Sequence, residues 1–524
     1  MLSPTLLHDY LRRSAALYPE KTAISLGEER LSYRELDDLS DRLSAALTLC
    51  GLKRQDRVVV FLDNCLESVI SIYGILKANA VFVMINPAVK SKKLAYIIQD
   101  AGARMLITHT TKASIIQETL QHVTTLTHII WKGETPPIPG SLCACSLDWH
   151  STLTHAGQTD RRLNGKNNAA SIDMDLAALI YTSGTTGEPK GVMATHYNMI
   201  SAARSIILYL KNTPEDCILN VLPLSFGYGL YQVIAAVMFS GSVVLENSLL
   251  YIHNVLKRIP ERGITGFPFV PTILAMMLKL QDLQKYDFTS LRYVTNAGAA
   301  LPVPYIKKFR SMFPDIQFYS MYGLTECARA SYLEPDKIDD LPASSGKAIP
   351  NCELFLVDEH GKMAKPGESG ELVVRGANVM KGYWNAPALT ARVFRNGHFS
   401  GDTLLYTGDF FKQDENGYLY FMGRKDDLIK CKGERLSAKE IEDVICEIQW
   451  VIESAVIGVP DDISGQAVKA FVVCDKSIRT TEKDIIKHCA MNLEPFAVPK
   501  YVEFIETLPK TDNGKINKKV LNTF

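Results

Sequence analysis

The chain has no excess of either charge: Lys plus Arg and Asp plus Glu each count 57 in 524 residues, a formal net charge of zero. Broad binding to a nucleic-acid backbone or an anionic membrane surface needs a surplus of cations, so neither is expected. Long apolar runs are missing too. The longest, around Val233 to Leu245, is interrupted by Ser240, Gly241 and Ser242 and is too short to span a bilayer. It reads as a buried helix running into a strand, and no transmembrane segment is expected. Met1 to Lys21 scatters His8, Asp9, Arg12, Arg13 and Glu20 among its apolar residues, unlike a secretory leader. The 11 cysteines lack paired metal-ligand spacing, which favours reduced thiols acting as small apolar fillers in a cytoplasmic protein. No internal repeats or low-complexity tracts are evident. What remains is ordinary globular composition, 47% apolar and 22% charged, in a chain too long for one core. Two or more domains are expected.

Helix and strand signals alternate through the first part of the chain. Ser32 and Glu35 form a capping-box pair ahead of Leu36, Leu39, Leu43 and Leu47 at helical spacing. Arg57 to Leu62 reads as a strand, Ser68 to Lys77 as a helix and Ala80 to Ile85 as a strand; Arg104 to Thr108, Thr127 to Trp131 and Leu176 to Tyr181 continue the series. Strands separated by helices argue for parallel sheets covered by helices. Pro136 to Asn168, richer in Pro, Gly, Ser and Asn, reads as a surface connection. After about Gly370 the texture becomes β-rich, with Glu371 to Arg375, Leu404 to Thr407 and Tyr418 to Met422 as short strands between turn clusters. The last stretch carries helix signals at Ala438 to Ile448 and Glu482 to Asn492, and strand signals at Ser454 to Gly458 and Ala467 to Cys474. The expectation is an α/β fold: a large N-terminal domain of helix-covered sheets with a β-rich subdomain (1–423), and a small, mobile C-terminal α+β lid domain (427–524).

The most informative stretch runs from Tyr181 to Val192. Gly184 and Gly187 free the backbone to curl into an anion-binding nest, Thr182, Ser183, Thr185 and Thr186 add hydroxyl donors, and Lys190 adds a full positive charge. That combination suits the phosphates of a nucleotide, although Gly-x-x-x-x-Gly-Lys-Ser/Thr cannot be laid over it. The string closely resembles the phosphate loop of the adenylate-forming (AMP-binding) superfamily, which includes acyl-CoA synthetases, stand-alone acyl-carrier-protein ligases and luciferases.

Further segments match that family in order along the whole chain. Asn296, Ala297 and Gly298 resemble the strand and turn that line the adenine site and the acyl pocket. Tyr322-Gly323-Leu324-Thr325-Glu326 resembles the motif whose aromatic residue lies near adenine, whose Thr contacts the α-phosphate and whose Glu holds Mg²⁺. Magnesium takes few carboxylates and fills its octahedron with phosphate and water. Asp409 resembles the aspartate that accepts the ribose hydroxyls, for which a carboxylate offers two acceptor oxygens. Arg424 matches the arginine that contacts ribose or phosphate, and Asp426 the hinge about which the lid rotates. Lys430, Lys432 and Gly433 match the loop brought in for the thioester step. Lys515 resembles the catalytic lysine that neutralises charge as the carboxylate attacks phosphorus.

Phe226, Gly227 and Tyr228 match the wall of the acid pocket, with Phe267, Phe269 and Met321 as further apolar candidates. Phe226 stands where many relatives carry a histidine. Gly227 stands where amino-acid-activating members place an aspartate to pair with the α-ammonium, which an empty pocket would leave buried and unpaired. An acid without that charge is therefore expected. The resemblance implies an ATP-dependent acid–thiol ligase: acyl-AMP and pyrophosphate form first, then a thioester with coenzyme A. The alternative acceptor is the phosphopantetheine of a carrier protein, which would act in trans because the chain ends at Phe524 soon after Lys515. A luciferase-like monooxygenase or a non-catalytic binding protein on the same fold are the remote alternatives.

Overall fold

The computed structural model describes residues 4–136, 144–157, 170–183, 188–247, 251–424, 428–431, 434–461, 465–475, 480–510 and 516–521. The first helix after the opening hairpin shows how local rules act here. Ser32 caps Tyr33–Leu49 through a full capping box with Glu35, and the leucine stripe turns inward, with Leu36, Leu43 and Leu47 fully buried.

Two sheets of mainly parallel strands form the large part. One is ordered Cys145–Asp148, His128–Lys132, Met105–His109, Arg57–Phe61, Val81–Met84, Leu176–Ser183, Pro189–Thr195, and only its last pair is antiparallel. The other carries Gln317–Tyr322, Tyr293–Asn296, Gly266–Phe269, Cys217–Asn220, Ser242–Leu245 and Thr22–Leu26 as neighbouring parallel strands. Parallel pairing demands a crossover, and helices such as Leu66–Lys77, Gly227–Phe239 and Val303–Met312 supply it. The apolar run that sequence reading split into helix and strand does divide there: Gly227–Phe239 is nearly all buried, Ser240 ends it in the left-handed conformation, and Ser242–Leu245 follows as a strand.

A third, antiparallel sheet is built from Cys352–Val357, Ser369–Gly376, Phe394–Asn396, Thr403–Gln413 and Leu419–Arg424. A fourth takes Ile429–Cys431, Glu434–Leu436, Val451–Asp461, Gly465–Cys474 and Tyr501–Phe504, with the helices Ala438–Cys446 and Glu482–Asn492 packed on it. The fold is thus mixed α/β, with a large N-terminal part and a smaller C-terminal one. The two touch where the Ser437 hydroxyl donates to the Met422 carbonyl at 2.8 Å and the Tyr305 hydroxyl donates to the Ile452 carbonyl.

One expectation needs correction. Within Pro136 to Asn168, Cys145–Asp148 is an added parallel strand and Trp149–Gly157 a helix. Trp149 and Leu153 are buried against the core, so long-range packing overrides the loop-like composition around them. No helix among the described residues is long and apolar enough to cross a membrane.

Candidate active site

Open parallel sheets bind ligands beyond the carboxyl ends of their strands. A cavity of about 290 Å³ lies there, reached by both large sheets: Met84 and Thr182 come from one, Ala297 and Gly323 from the other. Phe226, Gly227 and Tyr228 form one wall at the start of the helix Gly227–Phe239. A Cβ added at Gly227 would meet nothing within 4 Å, so the missing side chain leaves open space rather than tight packing. Gly298 and Thr325 also line the cavity. Phe267 and Phe269 do not. They share one face of their strand, as alternate residues must, and pack edge-to-face at 5.9 Å inside a helix-covered core. Met321 is likewise core, its Sδ accepting a hydrogen bond from the Tyr209 hydroxyl at 3.0 Å.

The segment expected to bind phosphate begins and ends in two paired antiparallel strands, Leu176–Ser183 and Pro189–Thr195. Thr182 is opposite Lys190 and Ser183 opposite Pro189. Gly184, Thr185, Thr186 and Gly187 lie outside the described residues, as does the side chain of Ser183. Burial lowers the pKa of Lys190, helped by the positive charges of Arg392 and Lys519 and opposed by Glu326. Lys190 therefore has charged groups from three distant segments within electrostatic reach. The Tyr383 hydroxyl donates to Glu326 Oε1 at 2.6 Å, and burial, with that carboxylate beside it, pushes the Tyr383 phenol well up. Arg424 and Arg392 both lie within electrostatic reach of the same phenol.

Asp409 is buried in the strand Thr403–Gln413, opposite Arg424 in the register. Its Oδ2 accepts from the Tyr322 hydroxyl at 2.6 Å, and Arg424 Nε stands 3.3 Å from Oδ1. Tyr322 is wedged edge-on against Phe411 with ring centroids 4.8 Å apart, and burial followed by Asp409 raises its pKa. Asn296 closes the strand Tyr293–Asn296; its amide donates to the Ala299 carbonyl at 3.2 Å, while its buried Oδ1 has no partner among the described residues.

The loop after Glu326 doubles back over Gly323. A Cβ there would meet the Ala328 carbonyl oxygen at 2.6 Å and Arg329 Cα at 2.8 Å, so only glycine fits. Buried Asn378 holds this return, donating to the Cys327 carbonyl at 3.0 Å and the Arg329 carbonyl at 2.6 Å. Asn378→Ala is expected to lower the unfolding free energy by about 2–4 kcal/mol, since two buried carbonyls lose their donor. A urea midpoint unchanged from wild type would contradict that role.

Asp426, Lys432, Gly433 and Lys515 lie outside the described residues, and of Lys430 only the backbone, in Ile429–Cys431, is described. Residues 510 and 516, on either side of 511–515, pair with each other in an antiparallel bridge. Sequence reading passed over Tyr383 and Arg392. Their part in the site comes from tertiary placement; the one available signal was Tyr383 and Trp384 together after Gly382.

A cavity at strand ends, whose lining residues Pro189 and Thr325 adjoin Lys190 and Glu326 in the chain, fits a nucleotide-dependent enzyme of mixed α/β fold. Comparison with known proteins is consistent with that class. Residues 11–384 match the AMP-binding enzyme family and residues 440–515 match the AMP-binding enzyme C-terminal domain. The chain is 33% identical over 532 residues to a long-chain-fatty-acid–CoA ligase of Bacillus subtilis, covering 98% of this chain and 94% of that one. It is 29% identical over 528 residues to a Rhodococcus jostii CoA ligase for a methyl-dioxo-octahydroindenyl propanoyl acid, covering 99% and 98%. Among solved structures it superimposes on the anthranilate CoA ligase AuaEII in complex with anthranoyl-AMP with a TM-score of 0.90 at 29% identity, covering 99% of this chain and 96% of that one. ATP-bound MatB from Rhodopseudomonas palustris gives a TM-score of 0.86 at 28% identity, covering 99% and 98%. The chain belongs to the AMP-binding enzyme family, and it is an AMP-forming acid–thiol ligase of the acyl-CoA synthetase type.

Proposed function

We propose that the enzyme joins a carboxylic acid lacking an α-ammonium to the thiol of coenzyme A, with the chemistry distributed over the residues described above. In the first step a carboxylate oxygen attacks the α-phosphorus of ATP and pyrophosphate leaves, giving acyl-AMP. In the second the thiol, losing its proton, attacks the acyl carbon and AMP leaves. The observation that carries this reading is the convergence of Lys190, Arg392 and Arg424 around Glu326 and Asp409, next to the cavity walled by Phe226, Gly227 and Tyr228.

The phosphate chain fits Lys190 and the hydroxyl-bearing loop from Thr182 to Thr186. The ribose fits Asp409, which Tyr322 and Arg424 orient. The base fits the Asn296–Gly298 turn, where the Asn296 Oδ1 awaits a donor. Thr325 would contact the α-phosphate. Glu326 would hold Mg²⁺, and the residues present fit it: one carboxylate, with one oxygen already steadied by Tyr383, matches an ion that takes its remaining ligands from phosphate and water. Bound there, the ion would neutralise charge on the phosphates.

Lys515 would approach the reacting carboxylate and α-phosphate from the C-terminal part, residues 427–524 in this scheme. Rotation about Asp426 would then exchange Lys515 for the Lys432–Gly433 loop before thiol attack. Closure of this part over the cavity would keep water from the mixed anhydride. A carrier-protein phosphopantetheine shares the pantetheine arm with coenzyme A and is the second acceptor to test. Both fit a cytoplasmic enzyme.

Acid-dependent exchange of labelled pyrophosphate into ATP tests the first step. Exchange that needs both an acid and magnesium is expected. Its absence over fatty, aryl, hydroxy and dicarboxylic acids, with ATP still bound, would contradict the assignment.

A further inference from the structure

The acid pocket has an apolar wall but a charged floor. Arg329 lines the cavity and is only 4% exposed, yet among the described residues no carboxylate lies within ion-pair distance of it. The other buried Lys or Arg among the described residues is paired: Lys77 sits between Asp37 at 2.6 Å and Asp41 at 2.8 Å. A buried cation without a counter-charge is costly to keep, and proteins retain one where something else supplies the charge.

The contacts that Arg329 makes among the described residues are with neutral groups. Its guanidinium lies over the Tyr228 ring, 4.9 Å from the centroid. The Tyr209 hydroxyl is close enough to interact with it, but that hydroxyl already donates to Met321. Arg329 Nε has no hydrogen-bond partner among the described residues. Two more buried polar groups lining the same cavity share that condition: the Ser225 hydroxyl, in a residue 8% exposed, and the Tyr231 hydroxyl, in a residue 2% exposed. Tyr231 is one turn on from Tyr228, so both rings stand on one face of the helix Gly227–Phe239. Three donors unpartnered among the described residues, each in a residue more than nine-tenths buried, thus belong to the lining of one cavity. Asn378 fixes the backbone that carries the arginine.

We propose that the acid this enzyme activates carries a second carboxylate, which pairs with Arg329 and accepts from Ser225 and Tyr231 at the far end of the pocket. A guanidinium offers parallel donors to a carboxylate, and its stacking on Tyr228 pre-sets their direction. The pocket would then select by a lost interaction: a monocarboxylic acid of the same length leaves the arginine buried and bare. Sites built around such a group reject analogues lacking it far more strongly than apolar pockets reject a change of length.

This inference rests on the ligase reading above, and the test separates the two. Acid-dependent pyrophosphate release from MgATP is measured for matched pairs: straight-chain α,ω-dicarboxylic acids against monocarboxylic acids of equal length, and benzenedicarboxylic acids against benzoic acid. Wild type, Arg329→Met, Arg329→Lys and Ser225→Ala are compared, with AMP binding by calorimetry as the check that each variant is folded. The expected result is a preference of about 100-fold or more in kcat/KM for one dicarboxylic member over its partner. Arg329→Met should bring that ratio to within about threefold through loss on the dicarboxylic acid, Arg329→Lys should restore part of it, and Ser225→Ala should lower it several-fold. Release that favours monocarboxylic acids, or a ratio unmoved in folded Arg329→Met and Ser225→Ala, overturns the inference and leaves the ligase reading standing. No release from any acid, with ATP bound, overturns the ligase reading itself.

Discussion

Lys515→Ala is expected to slow acyl-AMP formation by on the order of 10²–10³-fold while leaving thioester formation from supplied acyl-AMP within about tenfold of wild type. The asymmetry follows from where charge develops. As the acid's carboxylate approaches the α-phosphorus, two anionic groups are pressed together, and a lysine ammonium between them is worth most at that moment. In the second step the attacking group is a thiol and the leaving group is AMP, so the same ammonium has little to neutralise. Among the described residues of the C-terminal region, Lys519 is one of the charges that lower the pKa of Lys190. Single-turnover assays of the two half-reactions, run separately, measure the split. Equal losses in both would show that Lys515 acts on folding or closure instead.

Removing Asp409 should strike binding in place of chemistry. Its carboxylate is buried, takes the Tyr322 hydroxyl at 2.6 Å and faces Arg424 at 3.3 Å, so its orientation is set before any nucleotide arrives. Hydrogen bonds to a charged group are worth about 1.5–3 kcal/mol each, and a ribose diol would make two of them. Asp409→Ala is therefore expected to raise the KM for ATP by on the order of 10²–10³-fold. The variant also leaves a buried tyrosine hydroxyl without its acceptor, so a loss of stability accompanies it. Asp409→Asn separates these effects. It keeps an acceptor for Tyr322 and should recover most of the stability while weakening ATP binding about tenfold or more, because the amide has lost the charge. Calorimetric titration with ATP, alongside thermal unfolding, reads both. Wild-type ATP affinity in Asp409→Ala would remove the residue from the site.

Local and periodic features were legible in the sequence. The capping box at Ser32 and Glu35, the helix Glu482–Asn492 and the alternation that yields parallel sheets all depend on residues close together in the chain. The position of the hairpin proposed to bind phosphate was legible for the same reason: a strand, a hydroxyl-rich loop and a lysine are contiguous. What could not be read depends on partners far apart in sequence. Trp149 and Leu153 sit in a stretch with loop composition and are buried by contacts with the core. Phe267 and Phe269 look like pocket aromatics until the helices covering their strand face are known. Tyr383 and Arg392 join the site only through tertiary placement: Tyr383 donates to Glu326, and Arg392 lies within electrostatic reach of Lys190. Arg329 stands three residues after Glu326 in plain view. Its meaning comes from an absence among its neighbours that no linear reading displays.

The most direct test of the central claim is the stoichiometry of products from MgATP, an active acid and coenzyme A, with AMP, pyrophosphate and acyl-CoA quantified in one reaction by mass spectrometry. The assignment requires the three to appear in equal amounts, with acyl-AMP accumulating when coenzyme A is left out. AMP and pyrophosphate formed without thioester, whether coenzyme A is present or not, would contradict an acid–thiol ligase and point to another fate for the adenylate.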